Sequence, residues 1–349
     1  AIVERIQAGG GVMTREDMAL FQSRWEEPIS TNYHGYDIFQ MPPPGQGWAA
    51  LHMLNVLEVC VPGYGHGTLS ELGHTSPRFW HYLVEAKKLA YADLNAFNAD
   101  PDFAPPPLEK LLSKQYAASL CSKINPNQAG IVTGPSLDDG TINLMAADRW
   151  GNMVSAVHSV FSVFGSRVTV PGYGFVLQNR GAGFVTTPGH PNIVAPRKRP
   201  FHTIITGFAM KDGQPLMAFG NMQGAIQAYS HVTHVVNTID LGFNPQASAD
   251  AARYTHNQST TGPGTVSLEP NLFNAVGAGL QAMGHPVNTT NGSVGGFQAI
   301  FFQRDPSLPE PVQPPGGGHS GKAPPFQTPL NGVYRSGSDH RKDGHAVGW

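Results

Sequence analysis

Charge is scarce in this chain. Only 13% of its 349 residues are Asp, Glu, Lys or Arg, and the formal net charge is −2, whereas an average globular chain carries roughly 25% charged residues. A balance so near neutral gives no general attraction to nucleic acid or to anionic membrane surfaces. No apolar run approaches the ~18–20 residues of a membrane span. The two cysteines, Cys60 and Cys121, are too few for a disulfide framework or a zinc ligand set. Two free, mostly buried thiols are expected, with a single bridge between them as the alternative. None of the fifteen histidines stands in HExxH spacing. His231 and His234 share a helix face and His340 and His345 flank a basic turn, but no carboxylate or cysteine completes a set, so solvated or hydrogen-bonded histidines are expected and no metal. Gly63-Tyr64-Gly65-His66-Gly67 lacks the lysine of a phosphate loop, and Arg197-Lys198-Arg199 is too short for a nucleic-acid patch. No Gly-x-Ser-x-Gly elbow occurs, which argues against an α/β-hydrolase.

Glycine and proline are plentiful, 41 and 30 residues, about a fifth of the chain, which predicts a loop-rich but folded protein. The opening Ala1-Ile2-Val3-Glu4-Arg5 reads like the middle of a helix, which points to a chain cut or processed upstream. Residues 1–140 read as mostly helical. Thr14 caps a helix that begins Arg15-Glu16-Asp17. Tyr33–Met41 has β character and stops at Pro42-Pro43-Pro44. Gly45-Gln46-Gly47 opens a helix with Ala49, Met53, Val56, Leu57 and Cys60 on one stripe. Further helices are expected over Arg78–Asn98 and Lys110–Ile124. Beyond Gly140 the period shifts to two, over Thr141–Ala147 and Met153–Ser159. Helices follow over Gly224–Leu241, Gln246–Tyr254 and Asn271–Met283, and a strand over Gly296–Gln303. Asp305–Gly332 holds 8 Pro and 5 Gly in 28 residues and is expected as an irregular loop insertion before order resumes at Val333. Helices flanking strands suggest a layered α/β or α+β domain.

Asp148-Arg149-Trp150-Gly151-Asn152 lies between the two alternating runs. A three-residue loop with Gly151 in the left-handed position makes a hairpin, and its register puts Thr141 opposite Ser159. A threonine that follows a small loop residue and begins a strand can carry chemistry. Cutting the Gly140–Thr141 bond frees an α-amine, with a reference pKa of about 7.7–8.0, beside the same residue's hydroxyl. One residue then holds nucleophile and general base, with Ser159 orienting the hydroxyl.

The run Thr141–Gly165 resembles the start of the small subunit of the γ-glutamyltransferases (glutathione hydrolases), whose pattern is Thr-Thr-His-x-Ser-x-x-Asp-x-x-Gly-Asn, a second strand, then Phe-Gly. Gly11-Val12-Met13-Thr14-Arg15-Glu16-Asp17, Met41-Pro42-Pro43-Pro44-Gly45-Gln46-Gly47, Glu85–Asp93, Lys198-Arg199-Pro200 and Gly337-Ser338-Asp339-His340-Arg341 also fall in that family's order. The resemblance covers nearly the whole chain. It implies the four-layer αββα sandwich, an α+β fold, of N-terminal-nucleophile hydrolases, and no cofactor. It implies self-cleavage before Thr141 into a large-subunit piece (1–140) paired with a small subunit (141–349), and it implies that the first part of the large subunit is absent from this chain. A periplasmic or secreted location follows from the resemblance alone, and a cytoplasmic one stays open.

The resemblance also implies roles. Thr141 attacks the amide of a small-molecule donor, Ser159 hydrogen-bonds it, and the backbone N–H groups of Gln223 and Gly224 fill the place of the family's Gly-Gly oxyanion pair. The acyl-binding positions match Phe161, Gly183, His202 and Thr203. Here the family's acidic stretch is replaced by Gln178–Phe184, and Arg180 introduces a cation suited to a carboxylate. Thr141 is followed by Ile142-Asn143 where the family has Thr-His. The expectation is an autoprocessed amide hydrolase or acyltransferase. The alternatives are an acylase for a glutaryl-like, carboxylate-bearing acyl group and a non-catalytic relative.

Overall fold

The computed structural model describes residues 1–132, 140–292, 294–305, 307 and 331–348. Most of the proline- and glycine-rich segment expected as a loop insertion lies outside these residues.

The N-terminal region carries α1 (Ile2–Ala8) and α2 (Arg15–Leu20). Thr14 caps α2 in a capping box: Thr14 Oγ1 accepts from Asp17 N–H, and the Asp17 carboxylate accepts from Thr14 N–H. A hairpin follows, β1 (Ile29–Tyr33) and β2 (Tyr36–Gln40). The periodicity of Tyr33–Met41 located β2. The turn at His34-Gly35, both at positive φ, separates it from β1, which had no signal of its own. Next come α3 (Gly47–Cys60) and the 21-residue α4 (Pro77–Phe97), with proline at its first position. The single helix expected over Lys110–Ile124 is instead α5 (Leu108–Leu111), α6 (Lys114–Leu120) and a short 3-10 turn (Cys121–Lys123). Ser113 makes the break, because its side chain accepts from Tyr116 N–H and so starts a new helix.

In the second half, β3 (Gly140–Ala147) and β4 (Met153–Phe161) form the expected hairpin. Asp148 N–H donates to Asn152 O at 3.0 Å, and Gly151 has φ +88°. The ladder runs from Ile142 opposite His158 to Ala147 opposite Met153, the register that the turn chemistry implies. The remaining elements are β5 (Gly207–Lys211), β6 (Gln214–Asn221), α7 (Ile226–Ile239), α8 (Pro245–Asp250), β7 (Tyr254–Asn257), β8 (Thr265–Leu268), α9 (Pro270–Ala282), β9 (Val287–Thr289), β10 (Phe297–Arg304) and β11 (Gly332–Ser338). The helix expected over Gln246–Tyr254 ends at Asp250, and Tyr254 opens β7, where its ring is fully buried among aromatic neighbours.

Six strands make one sheet in the order β1-β2-β5-β6-β10-β11. Helices α3 and α7 pack on one face, with α4 against α3. The β3–β4 hairpin packs on the other face, over β6 and β10. The core lies mainly between helices and sheet: Trp48, Leu51, Met53, Phe79, Trp80, Phe219, Val232 and Phe297 are all buried. Helix α3 is apolar nearly all round because it lies between β1–β2, α4, α6 and α7. Of its buried polar residues, Asn55 accepts from Thr31 Oγ1 at 2.6 Å and donates to Leu112 O at 2.8 Å, and His52 Nε2 lies 3.1 Å from the Asp93 carboxylate.

The cysteines are bonded, not free. The C-terminal end of α3 meets the end of α6, bringing the Cα atoms of Cys60 and Cys121 to 5.2 Å, and a disulfide joins them. Sixty-one positions separate them in sequence, so spacing carried no signal of the pairing. Among the described residues no helix is long and apolar enough to cross a membrane.

Candidate active site

Thr141 stands where β3 enters the hairpin, at an irregularity in the ladder: Gly140 pairs with Phe161, and regular pairing begins at Ile142. Such a bulge re-aims a side chain. Thr141 is 9% exposed. Its hydroxyl donates to Ser159 Oγ at 3.3 Å and accepts from Gln227 Nε2 at 3.4 Å. Ser159 Oγ also accepts from Phe161 N–H at 3.0 Å. Gln227 belongs to the first turn of α7 and is fully buried, and its Oε1 accepts from Ile205 N–H.

The loop between β6 and α7 lies beside this hydroxyl. Gln223 and Gly224 have φ of +88° and +47°. Successive residues of this kind turn backbone N–H groups to one side, and here they do so at the N-terminus of a 14-residue helix, where the macrodipole favours negative charge. The left-handed region costs a residue with a Cβ roughly 1–2 kcal/mol. The Gln223 side chain offsets part of this, its Oε1 accepting from Gly295 N–H at 2.8 Å. Met222 N–H donates to Gly296 O at 3.1 Å. Asn221 N–H donates to His231 Nε2 at 3.2 Å, so the proton of the neutral ring is on Nδ1. Gln40 lies 3.0 Å from that Nδ1, and with its amide turned over, its otherwise unpartnered oxygen accepts the proton. Burial drives the His231 pKa down to about 3 and keeps the ring neutral.

The Pro42–Gly47 turn ties this loop to the acyl-binding positions. Gln46 is fully buried, and its amide donates to Thr203 O at 2.7 Å and to Gly224 O at 2.8 Å. His202 N–H donates to Pro44 O. Phe161, at φ +77°, lies two residues past Ser159. The Arg180 guanidinium is 5.2 Å from its ring centroid, a cation–π distance. Burial, then the charge of Arg180, push the His202 imidazole down to about 4, so at neutral pH Arg180 is the cation of this pair. Asn179 positions Arg180 by stitching its turn to the end of β4, donating to Ser162 Oγ and accepting from Ser162 N–H. Gly183 lies where an added Cβ would sit 2.3 Å from Phe201 O, and Asn192 bridges Gly183 O to Phe201 N–H.

All nine residues expected from the sequence therefore fall in one region: Thr141, Ser159, Gln223 and Gly224 around the hydroxyl, and Phe161, Arg180, Gly183, His202 and Thr203 alongside. Sequence reasoning missed Gln227, Gln46, Asn179, Asn192 and His231. Gln46 and Asn179 lay inside segments that had been singled out. Gln227 and His231 have partners in distant segments, Thr141 and Gln40, and Asn192 is a single amide whose partners lie 9 positions away on either side. Among the described residues, His81, Glu85 and His285 are one group close enough to share a metal ion. Both His81 ring nitrogens are engaged, by His285 Nε2 and by Asn125 O, and the Lys88 ammonium sits 2.7 Å from the Glu85 carboxylate, so the donor set does not fit a cation.

The γ-glutamyltranspeptidase family model matches residues 1–349. The chain is 32% identical over 351 residues to the glutathione hydrolase-like YwrD proenzyme of Bacillus subtilis (strain 168), covering 99% of this chain and 60% of that protein. It is 34% identical over 315 residues to the acylase ACY 1 proenzyme of Pseudomonas sp. (strain SE83), covering 88% of this chain and 54% of that protein. The crystal structure of cephalosporin acylase from Bacillus halodurans superposes with a TM-score of 0.81 at 33% identity, over 100% of this chain and 58% of that one. The chain thus spans little more than half the length of the relatives it matches, and its fold is the α+β sandwich of N-terminal-nucleophile hydrolases. The chain belongs to the γ-glutamyltranspeptidase family.

Proposed function

We propose that this chain carries the catalytic half of an autoprocessed amide hydrolase or acyltransferase in which Thr141 is the nucleophile. The observation that carries the reading is the Thr141 hydroxyl, held between Ser159 and Gln227 beside the left-handed Gln223–Gly224 turn at the start of α7. In processing, Thr141 Oγ1 attacks the Gly140 carbonyl carbon. An ester forms, the Gly140–Thr141 C–N bond breaks, and the hydroxyl proton ends on the released nitrogen. Water hydrolyses the ester, leaving a Gly140 carboxylate and regenerating the hydroxyl. The products are the pieces 1–140 and 141–349.

In turnover, the free amine of Thr141 takes the hydroxyl proton as Oγ1 attacks the donor amide. The oxyanion is met by the Gln223 and Gly224 N–H groups. The leaving amine takes the proton, and water or a second amine then accepts the acyl group. Arg180, beside Phe161 and the neutral His202, suits a donor whose acyl chain ends in a carboxylate. The names of the relatives point both ways, to glutathione hydrolases and to acylases.

Two experiments test this. Intact mass of the purified protein is expected to show two fragments joined by no peptide bond, with Thr141→Ala left uncut. Glutaryl anilide is expected to be hydrolysed faster than γ-glutamyl anilide. The reverse order would assign a glutamyl donor, and no covalent labelling of Thr141 by an amide-mimicking electrophile would leave a non-catalytic relative.

A further inference from the structure

Helix α4 places Arg78, His81, Glu85 and Lys88 at i, i+3, i+7 and i+10, on one face. All four hold the same stretch of chain, the one that leads toward the Gly140–Thr141 bond. Arg78 donates to Asn127 Oδ1 at 2.8 Å, and His81 Nε2 is 2.8 Å from Asn125 O. The Glu85 carboxylate accepts from Gly130 N–H at 3.2 Å, and Lys88 Nζ donates to Gly130 O at 2.8 Å. Lys88 and Glu85 are themselves paired at 2.7 Å, with exposures of 0% and 2%. Two further contacts come from the small-subunit side: Ala129 N–H donates to Met283 O at 2.7 Å, and Gln258 Nε2 donates to Val132 O at 3.3 Å. Lys87 braces Gln258 from below, 3.3 Å from its Oε1.

Burying an ion pair costs several kcal/mol per charge in desolvation. A connecting segment at the surface is ordinarily held by less. We propose that this polar stripe of α4, with Gln258, is a clamp that positions the upstream arm of the scissile bond and so sets the rate of self-cleavage. It rests on the reading that the bond before Thr141 is cut. Glu85, Lys88 and Gln258 are positioning residues in it, since none touches the reacting atoms. The Thr141 hydroxyl and the Gly140 carbonyl are neighbours in the chain, so what the clamp governs is the angle at which they meet, and a misplacement of about 1 Å can cost on the order of a hundredfold in rate.

The test is the half-time for appearance of the two fragments in the full chain, followed on denaturing gels, with Tm and the turnover of the matured protein on glutaryl anilide measured alongside. In E85L/K88M both charges leave together, which need not destabilise the fold. The Q258E variant keeps a partner for Lys87 and loses only the bond to Val132. The expected result is a half-time at least about twofold longer in both variants, each of which removes part of the clamp, with near wild-type Tm and an unchanged kcat once matured. Wild-type half-times in Q258E and in any folded E85L/K88M would overturn the clamp. A kcat that falls in parallel with processing would also overturn it, by assigning these residues a general structural role. A wild-type chain that stays whole would overturn the processing reading itself.

Discussion

The hydroxyls of Thr141 and Ser159 face each other across the β3–β4 hairpin at 3.3 Å, although the ladder is irregular at that point. The Ser159 oxygen also takes the Phe161 N–H, so its orientation is set from its own strand. Removing the contact in S159A is expected to lower turnover about five- to tenfold, the worth of one hydrogen bond of about 1–1.4 kcal/mol. The S159T variant keeps the oxygen and is expected to stay within about twofold of wild type. Steady-state kinetics of the two variants side by side checks the pair.

Gln223 has a side chain in a backbone conformation that favours glycine. In Q223A the Cβ cost stays and the bond to Gly295 N–H is lost. In Q223G both go. The glycine variant is therefore expected to be the more stable of the two by about 1 kcal/mol, read as the difference between their urea midpoints. The opposite order would mean that the loop leaves its left-handed conformation when the side chain is cut back.

On the proposed reading, Arg180 separates donors by charge. A charge-assisted hydrogen bond contributes about 1.5–3 kcal/mol, so R180Q is expected to lower kcat/KM for glutaryl anilide by roughly ten- to a hundredfold. Butyryl anilide, of similar length without the carboxylate, is expected to change little. Equal losses on both would assign Arg180 to holding its turn rather than the substrate. The R180K variant keeps the charge but not the planar fork and falls between.

Burial lowers the pKa of seven histidines, six of them strongly: His81 and His202 to about 4, His231 and His285 to about 3, and His234 and His256 well below the usual value. In the unfolded chain these groups take up protons near pH 6.5, whereas in the folded protein they stay neutral until the pH nears 4. The unfolded state thus binds more protons throughout that window. Stability present above pH 6.5 is lost as the pH falls towards 4. Two such groups acting in full give a slope of about 2.7 kcal/mol per pH unit. Urea midpoints at pH 7.5, 6 and 5 are expected to drop steeply, well before the carboxylates Asp100 and Asp339, whose pKa values are held below 3.8, begin to protonate. A flat profile down to pH 5 would contradict this account.

The Cys60–Cys121 bond closes a long loop around α4, α5 and α6. Reduction, or C60S/C121S, is expected to cost about 2–4 kcal/mol and to lower Tm by several degrees.

What could be read beforehand divides by the range of the interactions. The hairpin at Gly151 was legible to the residue because turn chemistry is local, and so was the capping box at Thr14. The long helix over Arg78–Asn98 announced itself by its period. The split of the Lys110–Ile124 helix at Ser113 was overlooked because a capping serine inside an apolar pattern looks like any other serine. Strands β5 and β6 gave no signal that was recognised, since Gly207 and Gly220 interrupt their pattern, and both glycines answer to tertiary crowding by Phe219 and Asn143. In the candidate site, resemblance singled out the residues proposed to carry the chemistry. Of the amides around them, Gln46 and Gln227 have partners 178 and 86 positions away, a relation that no short pattern encodes.

Strand β2 lies upstream of Thr141 and strand β5 downstream, and the two are laddered from Tyr36–Lys211 to Gln40–Gly207 in the middle of one sheet. A cut before Thr141 therefore releases no subunit: the daughter polypeptides remain interwoven like the fingers of clasped hands. Dilution alone has no purchase on such a join. The halves are expected to melt in a single transition and to separate only in denaturant, so a maturation event that doubles the number of chains leaves the number of cooperative units at one.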